Sequence, residues 1–287
     1  MKPCLTKALR PTPDSAGRFS AKVCSGAAHA RSLATRKNNM SEFIKIAREP
    51  DASCILPENL DTPVWRYMDL DKFQSLLNEK ALYLCRADRL QDRFEGTYSR
   101  RQIIEMENWF KEIDEPHMIE SERERRRKDR LKTYISCWCM SDYDLDLMWK
   151  GYVRNPPGIS IKSSVRRLKD ICDRAVEYWP LDISRVTYFD HAGGKNINYF
   201  GTPTTFLYKD VHFKLDSELR IIHYPNFSEP TPTHVYLKID LKDLIENVVF
   251  QPKVKEASLR SVRAALNDVG LDKIPVLASR DDRNLIE

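Results

Sequence analysis

The sequence has no CxxC pair: its seven cysteines, at positions 4, 24, 54, 85, 137, 139 and 172, are an odd number scattered over 287 residues. That spacing fits neither a secreted disulfide framework nor a zinc site. The cysteines therefore read as small buried apolar residues in a reduced compartment. Also missing is any apolar run near the roughly eighteen residues of a membrane span, so we expect a cytoplasmic chain with no membrane partner. The signatures GxxxxGK, GxGxxG, HExxH and GxSxG are absent, which argues against a P-loop enzyme, a zinc hydrolase and an α/β-hydrolase. The six histidines show no ligand spacing, and no metal is expected.

Acidic residues are almost lacking from the first forty positions, which hold eight Lys or Arg and one acid, Asp14. The formal charge of the whole chain is +5, yet removing those forty residues leaves 39 basic against 41 acidic side chains, a net −2. The basic character belongs to the tail, and nucleic-acid binding by the body is not expected. Residues 1–40 have the composition of a transit segment or of an upstream extension of a frame that starts at Met40. Pro11, Pro13 and Gly17 interrupt any long amphipathic helix and favour the second reading. We assign 41–63 as a linker, 64–280 as one domain and 281–287 as a C-terminal tail.

What the body does have is alternation of helical and strand periods. Leu70, Phe73, Leu76 and Leu77 mark a helix over 70–80, flanked by strands at 64–68 and 81–86. Further helices are expected at 98–113, 120–132, 144–153, 165–176 and 258–269. Further strands are expected at 133–140, 158–162, 185–189, 215–223, 234–239, 248–251 and 274–277. Adjacent strands in the second half predict an α+β fold, a single domain with a mixed, mostly antiparallel sheet flanked by helices.

Several polar residues interrupt this pattern where a plain core would be apolar. Arg66 lies between Trp65 and Tyr67 in the first strand, Asp92 and Glu95 lie in the turn before Gly96, and Ser136 precedes Cys137 and Trp138. Along 215–221, period two puts Asp216, Glu218 and Arg220 on one face and Leu215, Leu219 and Ile221 on the other. Such a face is either a solvated edge or one wall of a polar site. Trp149 and Tyr152 share a short helix, as core or as supports of that site.

The runs Trp65-Arg66-Tyr67-Met68-Asp69, Leu82-Tyr83-Leu84, Asp92-Arg93-Phe94-Glu95-Gly96, Ser136-Cys137-Trp138, Met148-Trp149-Lys150-Gly151-Tyr152 and Glu218-Leu219-Arg220 resemble, in order, a mostly prokaryotic family called domain of unknown function 2971. Arg93 stands where that family usually has proline, and Asp216 where it often has glutamate. In outline the pattern is also similar to ADP-ribosyltransferase folds. This resemblance implies NAD as substrate, Glu218 and Asp216 as the acidic catalytic pair, and Arg66, Tyr67, Tyr83 and Ser136 around the dinucleotide. Asp92, Glu95, Trp138, Trp149, Tyr152 and Arg220 would support them. It further implies a protein or nucleic-acid target and a toxin or phage-defence role. The alternative is a non-enzymatic binding or regulatory module built on a buried arginine and carboxylate network.

Overall fold

The computed structural model describes residues 55–92, 94–175, 181–192, 204–225 and 231–279. Contacts divide the chain into Met1–Phe43 and Ile44–Glu287, and every described residue belongs to the second unit. The basic tail, much of the linker and the C-terminal residues 280–287 lie outside the described residues.

Apolar residues spaced three and four apart force the helices to lie on the sheet. Leu70–Glu79 forms α1 and buries Phe73, Leu76 and Leu77. Val165–Ala175 (α5) buries Val165, Leu168, Ile171 and Cys172, and Glu256–Asp268 (α6) buries Val262 and Leu266. These three helices share one core with Val64, Leu82, Leu84, Trp138, Ile159, Ile161, Leu219 and Ile221. The alternate strand residues therefore face the opposite side. There, α4 (Asp146–Tyr152) packs Met148 and Trp149 on Trp65, Tyr67 and Cys139. Farther along the same face, Phe206 and Leu207 pack on Ala87, Ile135 and Ile222. Between these two apolar patches the face is polar.

The fold is α+β, as the sequence predicts, with a mixed and mostly antiparallel sheet. Its centre is β3 (Tyr134–Met140), which pairs along its whole length with β8 (Glu218–His223), from Tyr134↔His223 to Cys139↔Glu218. On the other edge of β3 the sheet forks. β1 (Pro63–Asp69) pairs only with Cys139 and Met140, and β2 (Ala81–Arg86) pairs only with Tyr134 and Ile135. β1 continues into β4 (Gly158–Ser164), β10 (Asn247–Phe250) and β11 (Val276–Ala278), while β2 continues into β9 (His234–Lys238). β5 (Leu181–Arg185) covers the far side of β8. A separate parallel pair joins β6 (Thr187–Phe189) to β7 (Tyr208–Asp210).

One boundary departs from expectation in a way that matters for the site. The predicted strand 215–223 begins at Glu218, because Val211–Asp216 is a 3-10 helix whose entry is capped by Asp210. Ser217 then turns in the left-handed region at φ 43°. Leu215 is 71% exposed, so it is not a core residue. Nor is β8 a solvated edge: all six of its residues are buried between β3 and β5. The predicted strand 185–189 is likewise two strands, divided at Val186, whose amide bonds the Glu218 carbonyl.

The helical hairpin of α2 (Arg100–Glu112) and α3 (His117–Lys132) is held by local rules. Ser99 and Gln102 form a reciprocal capping box at 3.1 and 3.3 Å. α3 buries no residue. Its i,i+4 pairs Glu122–Arg126 and Glu124–Lys128 stand at 3.9 and 3.8 Å, but Arg125 holds Glu122 and Asp129 more closely, at 2.6 and 2.5 Å. Ser99→Ala removes a buried cap and should cost about 1 kcal/mol, lowering the melting temperature by roughly 2–4 °C. An unchanged melt would mean that the hairpin docks without its cap.

Candidate functional site

A fork in a sheet leaves room between its arms, and a cavity of about 860 Å³ opens there and across the polar face. Its volume is that of a small-molecule site. Arg66 occupies the fork. The alternation of β1 aims it toward the helical side, with Val64 and Met68, but its guanidinium turns into the gap. Nη1 donates to Ser136 Oγ at 2.8 Å and Nη2 to the Tyr83 carbonyl at 2.9 Å. Trp138 Nε1 donates to the same Ser136 Oγ at 3.1 Å, and the guanidinium lies 5.8 Å over the Trp138 ring. Burial pulls the Arg66 pKa down. No ion pair links Arg66 to a carboxylate among the described residues, and a guanidinium remains charged in proteins. The arms of the fork thus present a cation that lacks an acidic partner.

The opposite wall is a chain of alternating charges. Arg220 grips Glu95 through two bonds of 2.6 and 3.0 Å, donates to the Phe206 carbonyl at 2.7 Å, and turns its Nε to Glu218 Oε2 at 2.7 Å. Lys209 takes the other Glu218 oxygen at 2.5 Å and Asp216 at 2.8 Å. Three carboxylates against two cations leave one net negative charge on this wall. Burial opposes ionisation of Glu218, but Arg220 and Lys209 more than offset it and hold the carboxyl at about 2. Burial likewise opposes the charge on Arg220, yet Glu218 and Glu95 keep its pKa well above the ordinary value. Glu95 is pushed up by burial, with Arg220 pulling against the shift.

Local chain geometry explains why these groups meet. Period two puts Glu218 and Arg220 on one face of β8, opposite Cys139 and Cys137 of β3. Gly96, at φ 68°, lets the chain turn directly over Phe206, where any Cβ would overlap the ring. Glu95 can therefore reach Arg220 beside the Phe206 carbonyl. Tyr188 fixes the start of β8: the Glu218 amide N–H donates to its Oη at 2.8 Å.

The remaining residues singled out from sequence divide into lining and support. Tyr67, Tyr83, Trp138, Tyr152, Asp92, Glu95, Asp216, Glu218 and Arg220 all border the cavity together with Arg66. Tyr83 is partly exposed and stacks on His234 at 5.0 Å, while Tyr67 is buried, accepts from the Leu145 amide and meets Trp149 edge-on. Tyr152 reaches Asp216 at 3.4 Å. Trp149 does not border the cavity; it is buried and donates to Asp144. Ser136 acts through Arg66. Asp92 stands outside the charge chain, with Oδ1 accepting the Phe94 amide and Oδ2 buried without a partner among the described residues. Arg93 lies outside the described residues. Cys137 borders the cavity, but burial, then Glu218, push its thiol up.

Sequence reasoning missed Lys209, the cation that closes the charge chain, and the neighbouring Asp210 and His212. The available signal was a lysine in the aromatic run Phe206-Leu207-Tyr208-Lys209-Asp210, a position where an unpaired charge would be costly. Among the described residues no group of three or more His, Cys, Asp or Glu side chains could hold a metal ion, and no helix is long and apolar enough to cross a membrane. No protein family, curated protein or solved structure matches the chain.

Proposed function

We propose that the forked cleft binds NAD and breaks its nicotinamide glycosidic bond, passing the ADP-ribosyl group to a protein or nucleic-acid acceptor, as in ADP-ribosyltransferases. The observation that carries this reading is the meeting of Arg66 and Glu218 on one cavity from opposite sides, with a cation that has no carboxylate partner among the described residues at one wall and net negative charge at the other. NAD has matching polarity, with an anionic pyrophosphate and a cationic pyridinium. Arg66 is suited to phosphate because its planar fork is always charged. Glu218 serves as a fixed anion facing the positive charge that develops on the ribose as the bond breaks. Tyr83 offers an accessible ring for stacking, and Asp216 lies beside Glu218 through Lys209.

A second reading has its own support. Both Glu218 oxygens are already held by cations, as a non-enzymatic binding or regulatory module with a buried ionic network would have them. Calorimetric titration of the full chain with NAD, together with chromatographic detection of released nicotinamide, separates the two. The first reading expects binding, turnover, and a roughly ten- to hundred-fold weaker Kd for Arg66→Gln, the loss of one charged hydrogen bond. Absence of both binding and nicotinamide release leaves only the second.

A further inference from the structure

The reaction above removes a proton from the attacking hydroxyl or water, and Glu218 is poorly placed to take it. Both of its oxygens are occupied and its pKa is held at about 2. Glu95 spends both oxygens on Arg220. Asp216 holds Lys209 and Tyr152. Burial pushes the Tyr152 hydroxyl and the Cys137 thiol up, with the Glu218 charge adding to both, so neither is a base.

One cavity-lining side chain is arranged differently. His212 borders the cavity with its side chain 85% exposed. It lies on the same 3-10 segment that leads through Asp216 to Glu218. Its amide donates to Asp210 Oδ1 at 3.0 Å, and its Nδ1 contacts the same oxygen. Asp210 is itself immobilised from the other side, where Oδ2 receives the His191 amide at 3.3 Å and faces His191 Nδ1 at 3.2 Å. Burial raises the Asp210 pKa, but the His212 and His191 hydrogen bonds outweigh it and hold the carboxyl at about 2. A permanent anion at Nδ1 fixes the proton there and leaves the lone pair on Nε2. No hydrogen bond occupies the His212 Nε2 among the described residues. His191 cannot play this part, because its own Nε2 is buried without a partner among the described residues and its ring lies 4.1 Å from that of Phe189.

We propose that His212 is the general base of this site and that Asp210 is the positioning residue that sets its tautomer. The inference rests on the NAD reading. As the C1′–N bond breaks, its electron pair leaves on nicotinamide, which becomes neutral. The incoming oxygen forms the new bond to C1′ while its proton passes to His212 Nε2, and the imidazolium then releases that proton to solvent. No oxidation or reduction occurs, and imidazole is the general base most used by enzymes.

The test uses the full chain with NAD, water being the acceptor. His212→Gln should lower kcat for nicotinamide release by roughly 10²- to 10⁴-fold and leave NAD affinity unchanged, since the exposed ring packs on no core. Added imidazole should restore part of the rate to His212→Ala. Long-range ¹⁵N–¹H spectra of the wild-type chain should show the Nδ1–H tautomer of His212, and Asp210→Asn should shift it. Wild-type turnover in His212→Gln, or an Nε2–H tautomer in the wild-type chain, overturns the base assignment while the NAD reading stands. Absence of nicotinamide release by the wild-type chain overturns both.

Discussion

Arg220→Met should destabilise the domain by about 3–5 kcal/mol, the loss expected when one partner of a buried ion pair is removed. For a domain of this size that is a fall of roughly 6–20 °C in melting temperature. Methionine nearly matches the stem in length, so the loss is mainly electrostatic. Glu95 keeps no cation, Glu218 keeps only Lys209, and the Phe206 carbonyl loses its donor. Arg220 is 1% exposed, and water cannot replace what is lost. Adding Glu95→Leu to Arg220→Met should recover part of the stability, because the stranded carboxylate goes with its partner. Arg220→Lys should fall between, since a point charge cannot grip Glu95 twice while also reaching Phe206 and Glu218. Strictly additive losses in the double variant would show that the two side chains do not act as a pair.

The same network shows what periodicity can and cannot disclose. The facing of Glu218 and Arg220 follows from period two and was legible, as were α1, β2 and α5 from their apolar spacing. The burial of β8 was not, since alternation of charged and apolar residues fits a solvated edge equally well. What decides between them is the pairing of β8 with β3 and β5, which are more than thirty positions away in the chain. The stretch 215–217 continues the alternation and so reads as strand. Its true conformation depends on Asp210 capping the 3-10 turn and on Ser217 adopting a positive φ, local chemistry that period two does not register. The fork lies further still from sequence. Arg66 in an apolar strand marks an anomaly, but its room exists only because β1 and β2 leave β3 at opposite ends. Asp92 and Arg66, natural members of an ionic cluster by residue type, lie outside the charge chain, and Lys209 takes their place.

Acid should weaken this domain over a defined window, with Glu218 as the largest contributor. Its carboxyl has an ordinary pKa of 4.5 and is held at about 2 in the fold. Between those values the unfolded chain binds a proton that the folded chain does not, so stability rises with pH across the interval. The contribution is complete above pH 4.5 and is lost as pH falls through about 2; at 1.36 kcal/mol per unit it amounts to about 3 kcal/mol. Asp210, held at about 2 from an ordinary 3.8, adds about 2 kcal/mol over a similar window with the same sign. Glu95 acts oppositely: its folded pKa is raised, so its protonation favours the fold as pH falls. Denaturant titrations from pH 7 to 2 should therefore show a falling acid limb that Glu218→Gln flattens and Glu95→Gln steepens. A limb of unchanged slope in Glu218→Gln would mean that this carboxyl titrates normally in the folded chain. It would then be free to exchange protons near its ordinary pKa, and the fixed-anion role facing the ribose would have no basis.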